Sequence, residues 1–246
     1  MKLFLKIGVL GLSLLFVGAC DNENATGPEE TTVSINKIMP LGASRVEGAR
    51  PVFESYRYDL WIDLKENGWT FDFIGTRLDQ ASYPPHEGDE FDKDHEGRSG
   101  WTSGQILNGI EGWLSDLSSP DIVLFSSPGG NDGLNGLPYE QAVSNINSII
   151  DILQANNPDV TVIIEQMAPG RSDIMNAELT TYFEKMQQEV ENIATDQTTS
   201  TSQVIAVDMY SEFKDSYLSD EVHYNEEGAD FIANRYYDEL INVLEE

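Results

Sequence analysis

Short apolar runs alternate with longer amphipathic segments along most of this chain. Each run is continuous and bounded by polar or glycine-rich turns, which is the pattern of a buried β-strand. Five strands are predicted, at residues 33–41, 71–75, 121–125, 160–164 and 204–207. Between and after them, apolar positions recur at helical spacing in 52–64, 106–117, 142–153, 177–194 and the segment that follows His223.

This alternation predicts an α/β fold. Continuous apolar strands are typical of parallel sheets buried on both faces, so we expect a three-layer α/β/α sandwich around a five-stranded parallel sheet. The polar segment 76–101 interrupts the pattern, and its length favours a functional loop. Ligands bind such sheets at the carboxyl ends of the strands. The polar groups just beyond strand ends, or in the loops that follow, include Ser44, Asn131 and the segment 220–223.

The segment around His223 carries the clearest chemical pattern. Asp220 lies three residues before His223, close enough to accept a hydrogen bond from Nδ1 and to leave Nε2 free as a base. Asn225 is a good N-cap, and Glu226 and Glu227 suit the first turn of a helix. His223 is therefore predicted to lie just before the last helix. A loop histidine with an acidic neighbour would be the simpler interpretation if this segment stood alone.

Ser44 is the candidate nucleophile because it follows the first predicted strand within a Gly-Ala-Ser sequence. A serine hydroxyl needs a base to attack a carbonyl, and His223 with Asp220 would supply one. The oxyanion formed by such an attack needs hydrogen-bond donors. The backbone of Gly100 and the side-chain amide of Asn131 are suited to that task.

The first 20 residues have the pattern of a secretory signal. Lys2 and Lys6 flank an apolar run that is too short to favour a membrane-spanning helix, and Val-Gly-Ala precedes Cys20, the only cysteine. This resembles the lipobox of bacterial lipoproteins, which implies cleavage before Cys20 and its lipidation. Residues 21–32 are acidic and polar and predict a flexible tether. The folded domain is then expected at 33–246, in the bacterial cell envelope and held to a membrane only by the lipid anchor.

The chain is strongly acidic, with a formal net charge of −29. Like charges repel, so nucleic acid and anionic lipid surfaces are disfavoured as partners. Neutral polymers and cationic ligands remain open. The charge is also what solubility outside a cell would require, and it does not choose between these partners.

Neither a metal nor a cofactor is predicted. Residues 92–97 begin like an EF-hand loop, but Ser103 occupies the twelfth position, where Glu is needed. A solvated acidic loop is the simpler interpretation. His86 and His95 have no obvious companion ligands, which disfavours a catalytic zinc. A looser structural Ca²⁺ site stays open, with its ligands drawn from Asp89, Asp92 or Asp94.

Four segments together resemble the SGNH (GDSL) hydrolase family. In chain order they are Gly-Ala-Ser at 42–44, Gly-Arg-Ser-Gly-Trp-Thr at 97–102, Gly-Asn-Asp at 130–132 and Asp-Glu-Val-His at 220–223. The resemblance implies the flavodoxin-like SGNH hydrolase fold, with Ser44 as nucleophile, His223 as base and Asp220 as its partner. It also implies an oxyanion hole formed by Ser44, Gly100 and Asn131.

Ala43 departs from this family pattern, because the family usually has Asp at this position. That carboxylate generally supports the nucleophile loop rather than reacting. The departure therefore bears on the rate and on the rigidity of the loop more than on the chemistry. The sequence around Ser44 also lacks the second glycine of a G-x-S-x-G elbow, which disfavours an α/β-hydrolase.

The stretch 94–102 narrows the resemblance to the carbohydrate esterase family 3 branch, whose members remove acetyl groups from xylan. It implies a secreted serine esterase that removes O-acetyl or other short acyl groups from an acetylated polysaccharide, or from a small ester. Arg45, Trp101 and Tyr224 are candidate sugar contacts, and each could equally serve packing or the surface. The alternatives are a lipase, aryl esterase or thioesterase of the same family, and a catalytically impaired carbohydrate-binding protein.

Overall fold

The computed structural model describes residues 35–245 of the chain. The predicted signal sequence, Cys20 and the 21–32 tether lie outside these residues. No helix within residues 35–245 has the length and hydrophobicity required to cross a membrane.

A mainly parallel sheet forms the centre of the domain. Its seven strands are β1 (Lys37–Gly42), β2 (Asp72–Phe73), β3 (Arg77–Leu78), β4 (Asp94–Gly97), β5 (Ile122–Phe125), β6 (Thr161–Gln166) and β7 (Val204–Asp208). They lie in the order β3-β4-β1-β5-β6-β7, and β2 also pairs with β1. Every pairing is parallel except that of β3 with β4. The predicted α/β sandwich is thus confirmed.

The expectation of five strands was wrong in number, since the sheet has two more. All five predicted strands are present, and β3 and β4 lie within the segment 76–101 that was predicted to be a loop. β2 pairs with the first two residues of β1 and β4 with its last two, so both share one edge of β1. β4 reads Asp-His-Glu-Gly, a composition with low strand propensity. Its buried polar groups are hydrogen-bonded: His95 Nδ1 accepts from the N–H of Gly97 at 3.0 Å, and Glu96 accepts from the N–H of Thr76 at 2.8 Å.

Within residues 35–245, seven α-helices cover the sheet. They are α1 (Ser44–Glu47), α2 (Arg57–Glu66), α3 (Ser103–Asp116), α4 (Gly130–Leu134), α5 (Tyr139–Asn156), α6 (Ala177–Gln197) and α7 (Glu226–Leu240). The five long ones match the predicted amphipathic segments. Two short ones, α1 and α4, were not predicted, and they begin two residues after β1 and five residues after β5.

The two faces of the sheet carry separate hydrophobic cores because successive strand residues point to opposite faces. In β1, Met39 and Leu41 pack with α3, α5 and α6, and Ile38 packs with α2 and α7. Side chains on both faces are fully buried, which explains why the central strands lack a polar face.

The last helix begins as its sequence predicts. Asn225 is its N-cap, and its Oδ1 accepts a hydrogen bond from the N–H of Gly228 at 3.0 Å. Ala229, Ile232 and Tyr236 on its inner face are fully buried. The helix therefore fixes the position of the residues just before Asn225.

The two ends of the described chain meet at Asn36. Its Nδ2 donates to the carbonyl oxygens of Thr70 and Glu245, at 2.8 Å each. Its Oδ1 accepts from the N–H of Glu245, also at 2.8 Å. The start of β1 and the segment after α7 are thereby joined at the amino end of the sheet.

Candidate active site

Ser44 is the first residue of α1, two residues after the end of β1. This one-turn helix, hereafter the nucleophile helix, is held at its end by Arg57 and Ser55, which donate to the carbonyl of Val46 at 2.7 and 2.8 Å. Ser44 is half-buried. The first N–H groups of a helix have no acceptor within it. The backbone N–H of Ser44 is therefore a donor beside its own hydroxyl.

Asp220 and His223 form the predicted pair. Asp220 Oδ2 lies 2.7 Å from His223 Nδ1, and Oδ1 accepts from the N–H groups of Val222 and His223, at 2.8 Å each. Burial opposes ionisation of Asp220. The hydrogen bonds from Val222 and His223 outweigh it and hold the pKa of Asp220 below its ordinary value. An ionised carboxylate on Nδ1 leaves Nε2 as the acceptor nitrogen.

Phe53 contacts one face of the imidazole, and no pattern in the sequence indicates this role. Its ring stacks on His223. The adjacent Glu54 donates its N–H to the carbonyl of Tyr224 at 2.9 Å, and the N–H of Ser219 donates to the carbonyl of His223 at 2.8 Å. Residues 219–224, hereafter the histidine loop, are thus held by a segment 170 positions away in the chain.

The structure brings the nucleophile and the histidine loop to one cavity, which Ser44 and Val222 both line. In the part of the chain that the structure describes, His223 Nε2 forms no hydrogen bond with the Ser44 hydroxyl, and the imidazole bonds to Asp220 through Nδ1. Catalytic hydrogen bonds of this kind commonly tighten only in the reacting complex. Arg45, next to Ser44, donates to the carbonyl of Val222 at 2.9 Å and so ties the two elements together.

Gly100 lies in a tight turn beside the nucleophile helix. The N–H of Trp101 donates to the carbonyl of Arg98 at 3.2 Å, and Gly100 has a φ of 77°. A positive φ at the third position of a four-residue turn is the type II geometry, which favours glycine. Residues 97–101, hereafter the oxyanion loop, are exposed at Gly100.

Asn131 is the second residue of α4 and lines the same cavity as Ser44. Its Nδ2 donates to the carbonyl of Trp101 at 2.8 Å. A side-chain amide has two N–H donors, so one remains for another acceptor. Three of the four predicted segments thus follow the carboxyl ends of the neighbouring strands β4, β1 and β5, and the histidine loop meets them through the contact of Val222 with Arg45.

Of the three predicted sugar contacts, Tyr224 needs correction, while Arg45 lines the cavity beside Ser44 but is almost wholly buried. Tyr224 is fully buried, and the guanidinium of Arg45 lies 4.7 Å above its ring. Arg45 is 7% exposed and donates to the carbonyls of Ala168 and Pro169 at 2.8 and 3.0 Å. Both side chains are engaged by the protein itself. Trp101 is half-buried with its ring 5.7 Å from that of Trp113, and it retains some exposed surface.

A fully buried carboxylate lies behind Arg45. Glu165 accepts from the N–H of Ser127 at 2.7 Å and from the hydroxyl of Tyr236 at 2.8 Å. Ser127 Oγ in turn accepts from Arg45 at 3.3 Å. Burial raises the pKa of Glu165. The sequence signal for this network was Glu165 itself, a charged residue directly after the apolar run of β6.

The acidic loop does not assemble a cation site among the described residues. No group of three or more His, Cys, Asp or Glu side chains in residues 35–245 is arranged to hold a metal. Asp89 pairs with Lys65 at 2.6 Å, and Asp92 accepts from the N–H of Phe73 at 2.8 Å. Asp89 and Asp92, two of the three candidate Ca²⁺ ligands, are thus engaged by other groups of the protein.

Comparison with known proteins identifies the family. Residues 63–231 match the model of the GDSL-like lipase/acylhydrolase family. The chain belongs to this family. The matched range contains Gly100, Asn131, Asp220 and His223 but begins after Ser44. No curated protein sequence matches the chain.

Solved structures agree with this assignment. An acetyl esterase mutant crystallised with acetate is 29% identical and has a TM-score of 0.72, covering 85% of this chain and 97% of its own. A carbohydrate esterase family 3 protein from Talaromyces cellulolyticus is 28% identical, with a TM-score of 0.73 and the same two coverages. A family 3 carbohydrate esterase from Clostridium thermocellum is 29% identical with a TM-score of 0.68, covering 85% and 96%. The protein is thus a GDSL-type ester hydrolase similar to family 3 acetyl esterases.

Proposed function

We propose that this GDSL hydrolase removes acetyl and other short acyl groups from carbohydrate. The observation that carries the proposal is the size of the cavity beside Ser44. Its volume is ≈ 40 Å³, and by the same measure one water needs about 10–15 Å³. The space therefore suits the three heavy atoms of an acetyl group, and a longer acyl chain would have to extend out of it towards solvent. The apolar side chains that line it are those of Ala43, Leu134, Met167, Phe183 and Val222.

The reaction begins when the Ser44 hydroxyl attacks the acetyl carbonyl carbon. A bond forms between Oγ and that carbon, and His223 Nε2 takes the hydroxyl proton. The negative charge on the carbonyl oxygen is stabilised by three donors, the backbone N–H groups of Ser44 and Gly100 and the amide of Asn131. Asp220 orients the imidazole and stabilises its protonated form.

Collapse of this intermediate breaks the ester bond. The sugar oxygen leaves with the proton from His223, and the acetyl group stays on Ser44. Water then attacks the acetyl-enzyme while His223 again accepts the proton, and acetate is released.

The carbohydrate part of the substrate is supported by the similar family 3 carbohydrate esterases and by charge. A protein with a net charge of −29 tolerates a neutral polysaccharide better than an anionic lipid surface. The half-exposed Trp101, the last residue of the oxyanion loop, offers an aromatic surface for a sugar ring. With the predicted lipid anchor at Cys20, the enzyme would be held in the bacterial cell envelope and would act there on acetylated polysaccharide.

The test is acetate release by residues 21–246 and by the Ser44→Ala variant, with p-nitrophenyl acetate and acetylated xylan as substrates. Turnover of both substrates that is lost in the variant supports the proposal. Turnover of p-nitrophenyl esters with longer chains but not of acetylated xylan would indicate a lipase or aryl esterase. Binding of xylan by the wild type without turnover would indicate a carbohydrate-binding protein.

A further inference from the structure

Glu47 lies on the nucleophile helix one turn after Ser44, and the proposed mechanism gives it no role. Residues three apart in a helix lie on the same face. Its carboxylate makes two contacts with the segment 77–99. Oε2 accepts from the N–H of Ser99 at 2.6 Å, and Oε1 accepts from Arg77 at 3.1 Å.

The oxyanion loop packs closely against the backbone of Glu47. A Cβ at Gly97 would lie 2.4 Å from the nitrogen of Glu47, so only glycine allows this approach. The N–H of Arg98 also donates to the carbonyl of Gly42 at 3.1 Å. The oxyanion loop thus contacts the chain both before and after Ser44, at Gly42 and at Glu47.

Gly100 lies between two anchored points. The N–H of Ser99, the residue before it, is held by Glu47, and the carbonyl of Trp101, the residue after it, is held by Asn131. Gly100 itself is exposed, and a Cβ at this position would meet no atom within 4 Å. No side-chain packing on the Cβ side of Gly100 orients its peptide, so its orientation depends on these anchors and on the turn hydrogen bond from Trp101 to Arg98.

We propose that Glu47 is a positioning residue that aims the Gly100 N–H at the oxyanion. This inference rests on the proposed function. Glu47 acts through Ser99 and does not touch the substrate. It supplies a carboxylate that supports the nucleophile helix, where Ala43 has no side-chain hydrogen bond to offer.

Arg77 makes this arrangement compatible with catalysis. A carboxylate near a developing oxyanion would oppose the reaction by charge repulsion. The guanidinium of Arg77 lies on the opposite oxygen of the carboxylate from Ser99 and offsets its charge. Burial opposes ionisation of Glu47, but the hydrogen bonds from Ser99 and the charge of Arg77 together hold its pKa below the ordinary value.

The decisive comparison is between Glu47→Gln and Glu47→Met in the 21–246 protein, with p-nitrophenyl acetate as substrate. The two replacements have similar volume, but only Gln retains an acceptor for the Ser99 N–H. We expect Glu47→Met to lower kcat roughly 10- to 100-fold with KM changed less than about threefold, since removing an oxyanion donor outright costs about 10²–10³. Glu47→Gln should retain most of the wild-type kcat. Glu184→Ala, at an exposed position on α6, is the control for loss of a glutamate.

A second readout separates positioning from general disturbance. The Ser44 hydroxyl adds to the carbonyl carbon of a methyl trifluoromethyl ketone and gives its proton to His223. The carbonyl oxygen becomes negative and lies in the oxyanion hole. The inhibition constant of the ketone should rise in Glu47→Met by about the factor by which kcat/KM falls, and circular dichroism should show the wild-type fold. If Glu47→Met does not fold, Glu47→Ala takes its place.

Two results would overturn the inference. One is an unchanged kcat in Glu47→Met, and the other is an equal loss in Glu47→Gln and Glu47→Met, which would assign the effect to charge. Failure of the proposed function itself would look different. The wild type would then show no turnover that depends on Ser44.

Discussion

The ring of Phe53 lies parallel to the imidazole of His223, with 3.9 Å between the ring centroids and 12° between the planes. Together with the 2.7 Å contact from Asp220 to Nδ1, this stacking fixes both the tilt and the rotation of the imidazole. A base that is held in this way loses little rotational freedom when it accepts a proton. The position of the base thus depends on a residue that belongs to none of the four family segments.

Replacing Phe53 should therefore slow the reaction. Stacked aromatic pairs contribute about 0.5–1.5 kcal/mol beyond the area they bury, so we expect Phe53→Ala to lower kcat/KM for p-nitrophenyl acetate about 3- to 10-fold. Phe53→Leu keeps most of the volume and serves as the matched variant. A wild-type rate in Phe53→Ala would show that Asp220 alone is sufficient to orient the ring.

Activity should fall as the solution becomes acidic. Protonated His223 cannot accept the Ser44 proton, and histidine is the side chain that ordinarily changes charge between about pH 5 and 8. The lowered pKa of Asp220 keeps its carboxylate ionised through this range, so the loss belongs to the imidazole. The measurement is kcat/KM against pH for p-nitrophenyl acetate. A flat profile between about pH 5 and 8 would contradict the role of His223.

The acyl preference should respond to Met167, which is buried and lines the cavity beside Ser44. We expect Met167→Ala to raise the ratio of kcat/KM for p-nitrophenyl butyrate to that for the acetate by roughly 10-fold or more, since one methylene in a pocket is worth about 10- to 200-fold. Met209→Ala is the control. Met209 is equally buried but packs on the other face of the sheet. A ratio that changes equally in both variants would assign the effect to general loosening.

Stability should depend on pH through Asp59 in α2. Burial, followed by the charges of Asp230, Glu54 and Asp63, raises the pKa of Asp59 to about 7. An unfolded chain releases this proton near pH 4. Between about pH 4 and 7 the folded state therefore binds more protons, and the free energy of unfolding falls as the pH rises through that window.

Asp59→Asn removes this titration. We expect the free energy of unfolding at pH 8 to rise by roughly 1–3 kcal/mol, with a smaller gain at pH 4. Urea unfolding at the two pH values measures both. Asp151→Asn, at an exposed position on α5, should change neither value appreciably. Equal gains at pH 4 and pH 8 in Asp59→Asn would exclude the charge as the cause.

The apolar runs allowed much of the fold to be predicted, because buried parallel strands and amphipathic helices each have a characteristic period. β5 and β6 lie where the pattern places them, and so does α7 behind its Asn225 cap. β3 and β4 were missed because they are short and polar, and their hydrogen bonds come from distant segments. Local sequence carries no record of such partners.

The site was predictable only in part, for a similar reason. Asp220 and His223 are close in sequence, so their contact could be expected from spacing. For Tyr224 the sequence allowed either a sugar contact or packing, and the structure places its side chain in the core beneath Arg45. Phe53 and Glu165 contact the site only through the tertiary structure, and no spacing in the sequence relates them to it. Glu47 follows Ser44 by three residues, but its hydrogen-bond partners, Ser99 and Arg77, come from a separate segment of the chain.

The two ends of the described chain are hydrogen-bonded at Asn36, and this has a practical consequence for handling the enzyme. β1 runs from Asn36 to the nucleophile helix, a span of six residues, or roughly 20 Å. A fusion partner, an affinity tag or a solid support attached before residue 35 would therefore be joined at the end of the sheet opposite Ser44. Immobilisation by this end should leave the reactive serine facing the bulk solution, where a long polymer can reach it.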